Sequence, residues 1–140
     1  MVLDKGNWRV ARRYSLERFR PLLLLAQMIL FVIGAAFWVM ARHQIDAFNA
    51  ATFGSFAVQF PAEMWAGAMM VGAAFAYVGL IRPIRRKLVA VGASVHVLHF
   101  TALSYSTTFT GGEHVIGLYA SFFFSPLHLW MIVEANRNAA

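Results

Sequence analysis

The stretch PLLLLAQMILFVIGAAFWVMA, Pro21 to Ala41, decides how the rest of the chain is read. It holds no Asp, Glu, Lys or Arg. Its length is about the 20 residues that an α-helix, rising about 1.5 Å per residue, needs to cross roughly 30 Å of hydrocarbon. Three later segments have the same character: PAEMWAGAMMVGAAFAYVGLI, Pro61 to Ile81; LVAVGASVHVLHFTALSY, Leu88 to Tyr105; and EHVIGLYASFFFSPLHLWMIV, Glu113 to Val133. None has the apolar–polar alternation of a membrane barrel strand, and a barrel needs many more segments. The expected fold is all-α: one integral membrane domain over residues 1–140, built as a four-helix bundle.

Composition agrees. Of the 140 residues, 60% are hydrophobic and 13% charged, against roughly 25% charged in a soluble domain. The mean hydropathy is +0.61. With no cysteine in the chain, disulfides, thiolate nucleophiles, iron–sulfur clusters and thiolate zinc sites are excluded.

The net charge of +6 would suggest a nucleic-acid partner in a soluble chain. Here the placement of the charge gives a better reading. Lys5, Arg9, Arg12, Arg13, Arg18 and Arg20 precede the first span. Arg82, Arg85, Arg86 and Lys87 fill the connection between the second and third, and Arg137 follows the fourth. Arg42 alone lies on the other side. Basic residues stay on the cytoplasmic side, so both termini are expected there, in an inner-membrane, multi-pass protein. An odd number of spans would break the partition.

A signal peptide is not expected at the N-terminus, because the basic region and the apolar run are both long and no clear small-x-small cleavage site follows. The basic tail, with Trp8, Tyr14 and Phe19, suits an anionic lipid surface. Arg12, Arg13, Arg82, Arg85, Arg86 and Lys87 are the expected membrane-surface residues. The outer loop, residues 42–60, has Ile45, Phe48, Thr52 and Phe56 at helical spacing and reads as either an interfacial helix or an ordinary capping loop. Pro21 and Pro61 suit helix starts, where the missing N–H costs nothing.

Small residues mark where membrane helices approach closely. Ala68, Gly72 and Ala76 form a small-xxx-small ladder on the second span, continued by Gly79. Gly117, Ser121 and Ser125 form a second stripe on the fourth, with His128 three residues on and Pro126 set to kink the helix. In the third span Gly92, His96 and His99 share a face. Counted from the basic side, His96 lies roughly 12 Å deep, His99 roughly 16 Å, His128 roughly 9 Å and Ser125 roughly 13 Å. His96 is therefore expected to meet Ser125 or His128, and His99 to lie between Ser125 and Ser121.

Ionisable groups in a membrane span are functional candidates by default. One reading of His96, His99 and His128 is a structural network of neutral imidazoles with serine hydroxyls and backbone carbonyls. Another is a b-type haem held axially by His96 and His128, or a quinone. A zinc site at the His96/His99 pair is disfavoured because no carboxylate lies near it in the span. Glu113 and His114, with His43 and Glu63, read as a solvated rim at the outer end. FTGGEH, Phe109 to His114, reads as the tight turn between the third and fourth spans. No catalytic residue is assigned.

The expected function is non-enzymatic: an accessory, assembly or partner-binding subunit acting through lipid contacts and through packing on other membrane subunits or on itself. The alternatives are a haem- or quinone-binding redox anchor and a holin-like pore or lysis protein.

Overall fold

A computed structural model describes residues 15–43, 62–81, 83–109 and 115–137, with side chains described for all of these except 15, 62, 103, 105–109 and 115–121. These residues form four α-helices and no strand: α1 Ser15–Arg42, α2 Ala62–Leu80, α3 Arg86–Phe109 and α4 Val115–Asn136. Two stretches of them, Leu16–Arg42 and Glu63–Leu80, are long and apolar enough to cross a membrane. The outer loop, apart from Arg42 and His43, and the Gly111–Gly112 turn lie outside the described residues, as do Arg12, Arg13 and Arg82.

Helix α1 starts ahead of the expected span, so Pro21 lies inside it rather than at its first turn. Glu17 stands in that turn, where a carboxylate complements the helix dipole. Helix α3 likewise begins at Arg86 rather than Leu88. The Arg85 carbonyl accepts from the Leu88 and Val89 N–H groups at 3.0 and 3.2 Å, and the Arg85 N–H donates to Gly79 O at 2.7 Å. One residue thus starts α3 and occupies an unpaired carbonyl at the end of α2.

The helices follow one another in space as in sequence: α1 packs on α2, α2 on α3 and α3 on α4, while α4 meets α1 only sparingly. Neighbours are antiparallel. On α2 and α3, Gly72 lies at His96, Ala76 at Gly92 and Gly79 at Val89, rising numbers on one helix meeting falling numbers on the other. Likewise Gly34 of α1 meets Met70 of α2, and Trp38 meets Gly67.

Glycines permit this spacing. A methyl group added to Gly92 would collide with the Ala76 nitrogen and the Gly72 carbonyl, both backbone. One added to Gly79 would come within 2.6 Å of the Val89 nitrogen. Bare backbone touching bare backbone brings two helices as close as helices come and maximises the dispersion contact between them.

Two apolar clusters form. Leu16, Leu23, Leu80, Val89, Met131 and Ala135 belong to one, which gathers the start of α1, the end of α2, the start of α3 and the end of α4 at one end of the bundle. Arg18, Arg20, Arg85, Arg86, Lys87 and Arg137 stand on the same ends of those helices, with Arg42 at the opposite end of α1. Leu30, Ala41, Met69, Ala73 and Phe100 make the second cluster, farther along.

Candidate functional site: a polar layer between two apolar clusters

In α1, α3 and α4 one turn separates the clusters, and it is polar. Gln27 lies between Leu23 and Leu30, His96 between Ala93 and Phe100, and His128 just before Met131. Gln27, His96 and His128 are wholly buried, and His99 is 3% exposed. Helix α2 contributes backbone instead of a side chain: a Cβ at Gly72 would come within 2.9 Å of His96 Cδ2 and Nε2. The imidazole of His96 therefore rests where any larger residue would displace it.

His96 stacks on His128 with ring centroids 4.5 Å apart and planes inclined by 29°. His128 Nδ1 lies 2.7 Å from the Phe124 carbonyl. A carbonyl only accepts, so Nδ1 carries the proton and Nε2 is an acceptor. Gln27 Nε2, 3.1 Å away, donates to it, and the same amide nitrogen reaches Met131 Sδ at 4.0 Å. The reverse placement of the amide would require a doubly protonated ring in an apolar interior, which is far more costly. The first helix is thus tied to the last by one hydrogen bond of known direction.

The remaining polar atoms of the layer have no partner among the described residues: Gln27 Oε1, both nitrogens of His96 and both nitrogens of His99. Buried polar atoms are nearly always satisfied, and each exception calls for an explanation. His99 packs against aromatic rings instead, edge-on to Phe100 at 5.4 Å and tilted to Trp65 at 5.8 Å. Phe100 continues the stack to Phe124 at 5.4 Å.

Of the residues expected to act together, the structure joins His96 to His128 and sets His99 one turn away. Gly72 and Ala76 face α3, and Ala68 is half-buried. Ser125 is half-buried and bonds none of the three histidines, whose ring nitrogens are accounted for above. Ser125 and His128, three residues apart and about 60° apart round α4, share a side of the helix, but both ring nitrogens of His128 are taken, by Gln27 and by the Phe124 carbonyl. Gly117 and Ser121 are helical in α4, and their surroundings fall outside the described residues. Arg85 and Lys87 are exposed and Arg86 is half-buried. The residue that sequence reasoning missed is Gln27. Its signal was present: it is the one polar side chain between Pro21 and Ala41, about as far from Arg20 as His128 is from Glu134.

No group of three or more His, Asp or Glu residues suited to a metal ion occurs among the described residues. Comparison with known proteins gives no match to a family model, a curated protein or a solved structure.

Proposed function

We propose that this chain is a four-span inner-membrane protein with both termini in the cytoplasm, and that it serves as a non-enzymatic accessory or assembly subunit. The observation that carries the membrane reading is an inverted distribution of polarity. Leu22, Val32, Leu98, Phe122 and Phe123 are 61–77% exposed, while Gln27 and the three imidazoles are sealed inside. In water that arrangement would expose apolar patches on every helix; in lipid it is the favourable one. The basic residues gathered at one end support the orientation.

Burial of the polar layer supports assembly over chemistry, because no water-borne substrate reaches side chains at most 3% exposed. The outward apolar faces then serve lipid, further copies or other membrane subunits. Reporter fusions at residues 1, 87 and 140 should all be cytoplasmic, and one at residue 52 should not. Crosslinking in native membranes should trap a partner subunit or a second copy. A periplasmic residue 87 would end the topology, and a chain that stays monomeric and uncrosslinked would end the subunit role.

One observation favours a second reading, a b-type haem site: four imidazole nitrogens of His96 and His99 have no partner among the described residues. Axial ligation sets two rings end-on to one iron with the porphyrin between them. His96 and His128 would have to leave their face-to-face stack, and His128 its bonds to Gln27 and Phe124. A Soret band in the purified protein, lost in His96→Ala, would establish this reading, and a colourless preparation would remove it.

A further inference from the structure

The junctions of the bundle are not equal. Where α2 turns into α3, a Cβ on Gly79 would come within 2.6 Å of the Val89 nitrogen, so no further group fits between those helices. Helix α4 meets α1 only sparingly. The contacts that span this seam are long side chains: Gln27 reaches His128, and nearer the basic end Phe19 meets Trp130 edge-on, with ring centroids 6.0 Å apart. A seam bridged by side chains, without close backbone, accepts a flexible chain laid along its outer side.

Charge stands at the mouth of this seam. The Arg18 guanidinium lies 5.9 Å from the centroid of the Phe19 ring, and Arg20, next after Phe19 in sequence, is half-buried. Neither arginine has a carboxylate partner among the described residues. On α4 the buried acid, Glu134, already holds Arg137 at 2.8 Å. Phe19 is 44% exposed, so the ring pair is open to the outside. Trp130 lies roughly 6 Å along the helix from Glu134, near the border between headgroups and acyl chains where indoles collect. Unpaired cations, aromatic pair and loose seam thus follow one another inward from the membrane surface. Phosphate, glycerol and acyl chain follow in the same order in a phospholipid.

The kind of cation adds to this. Keeping positive charge in the cytoplasm asks only for charge, which lysine supplies as well as arginine. Yet Lys5 and Lys87 are the only lysines among the 12 basic residues of the chain. A planar guanidinium can give two N–H groups to one phosphate, where an ammonium acts as a point charge. Basic pockets between membrane helices on the cytoplasmic side are known to take anionic headgroups.

We propose that the α1/α4 seam binds an anionic phospholipid of the cytoplasmic leaflet, its phosphate held by Arg18 and Arg20 and an acyl chain lying over Phe19 and Trp130. The lipid joins the two neighbouring helices that pack least on each other. The proposal rests on the four-span reading with this end in the cytoplasm.

The test places the full-length protein in nanodiscs of phosphatidylcholine and phosphatidylglycerol in equal parts, releases it into mild detergent and counts retained lipids by native mass spectrometry. Phosphatidylglycerol should be retained about tenfold over phosphatidylcholine, whose own ammonium would meet the same arginines. It should also raise the melting temperature of the native protein. Arg18→Gln/Arg20→Gln should lose both effects. Arg18→Lys/Arg20→Lys, which keeps the charge that orients the chain, should lose most of the retention. Arg85→Gln/Lys87→Gln, at the closely packed α2–α3 turn, should keep it. Equal retention of the two lipids, or retention undiminished in the glutamine variant at the seam, would overturn the proposal. A lysine variant equal to the native protein would reduce the site to diffuse surface charge and overturn it too. Displacement of the lipid by glycerol 3-phosphate would make the ligand a soluble phosphate, with the same consequence. A reporter at residue 140 of each variant, cytoplasmic throughout, separates these outcomes from a failure of the topology.

Discussion

His96 and His128 lie face to face, 4.5 Å between ring centroids, with the bare backbone of Gly72 closing the other side of His96. Three helices therefore determine one ring: α3 carries it, α4 stacks on it and α2 withholds a side chain to admit it. Substitutions at any of the three should be felt at the other two.

The glycines should rank by what opposes them. At Gly92 an added methyl meets backbone of α2, which cannot turn aside. Gly92→Ala should lose about 1–3 kcal/mol, the usual cost of overpacking. At Gly34 an added methyl would come within 2.8 Å of Met70 Cγ and 3.2 and 3.3 Å of the Ala66 carbonyl and Met70 nitrogen. Gly34→Ala should therefore destabilise too, but less than Gly92→Ala, since its backbone contacts are longer and better helix propensity, worth about 1 kcal/mol, offsets part of the adjustment. Thermal unfolding in one detergent orders the two variants, and a Gly92→Ala protein as stable as the native one would contradict the packing described.

The Gln27–His128 bond should appear as coupling. In a double-mutant cycle with Gln27→Leu and His128→Leu, the interaction term should be about 0.6 kcal/mol and at most about 1.7, the range found for hydrogen bonds between membrane helices. Strict additivity would mean the two side chains do not meet.

Among the described residues His99 makes only ring contacts, so its two nitrogens are a cost with no compensating hydrogen bond there. Exchange for a side chain of similar bulk, His99→Leu, should raise stability by about 1–3 kcal/mol. The same variant should be assayed for partner crosslinking. Stability lost rather than gained would mean that His99 has a polar partner beyond the described residues.

Phe123 is 77% exposed on α4 and lies roughly 16 Å from Glu134 along the helix. Phe123→Asp should impede insertion by about 2.5–3.5 kcal/mol, read as loss of the membrane-integrated fraction. On a water-facing surface the same change would stay within about 0.5 kcal/mol, so undiminished yield would speak against lipid on that face.

The helices were legible because their signal is additive. A run such as Pro21–Ala41 declares itself through twenty side chains at once. The site was legible only in part. Depth counting brought His96 to His128, because rise per residue is nearly constant. It left Ser125 and His128 as alternatives for His96, because depth does not say which of two residues about 60° apart on one helix turns toward the facing ring. Gln27 was hidden by its neighbours: one amide among leucines reads as tolerated polarity until its partner, 101 residues away in sequence, is known. The start of α1 escaped too: Pro21 reads as a helix start, yet the helix begins at Ser15 and runs past it, with the Glu17 carbonyl losing the N–H it would otherwise accept.

The tie between Gln27 and His128 links the first helix to the last, and synthesis proceeds from one to the other. Until α4 leaves the ribosome, Gln27 lacks its partner His128 and His96 the ring it stacks on, so a chain inserted in a bilayer as proposed would present these polar groups uncovered on that side. Completion of the protein is thus written into its interior as a condition of being finished. Chains stopped before residue 115 should be degraded faster in pulse–chase than full-length ones, with Gln27→Leu slowing that loss.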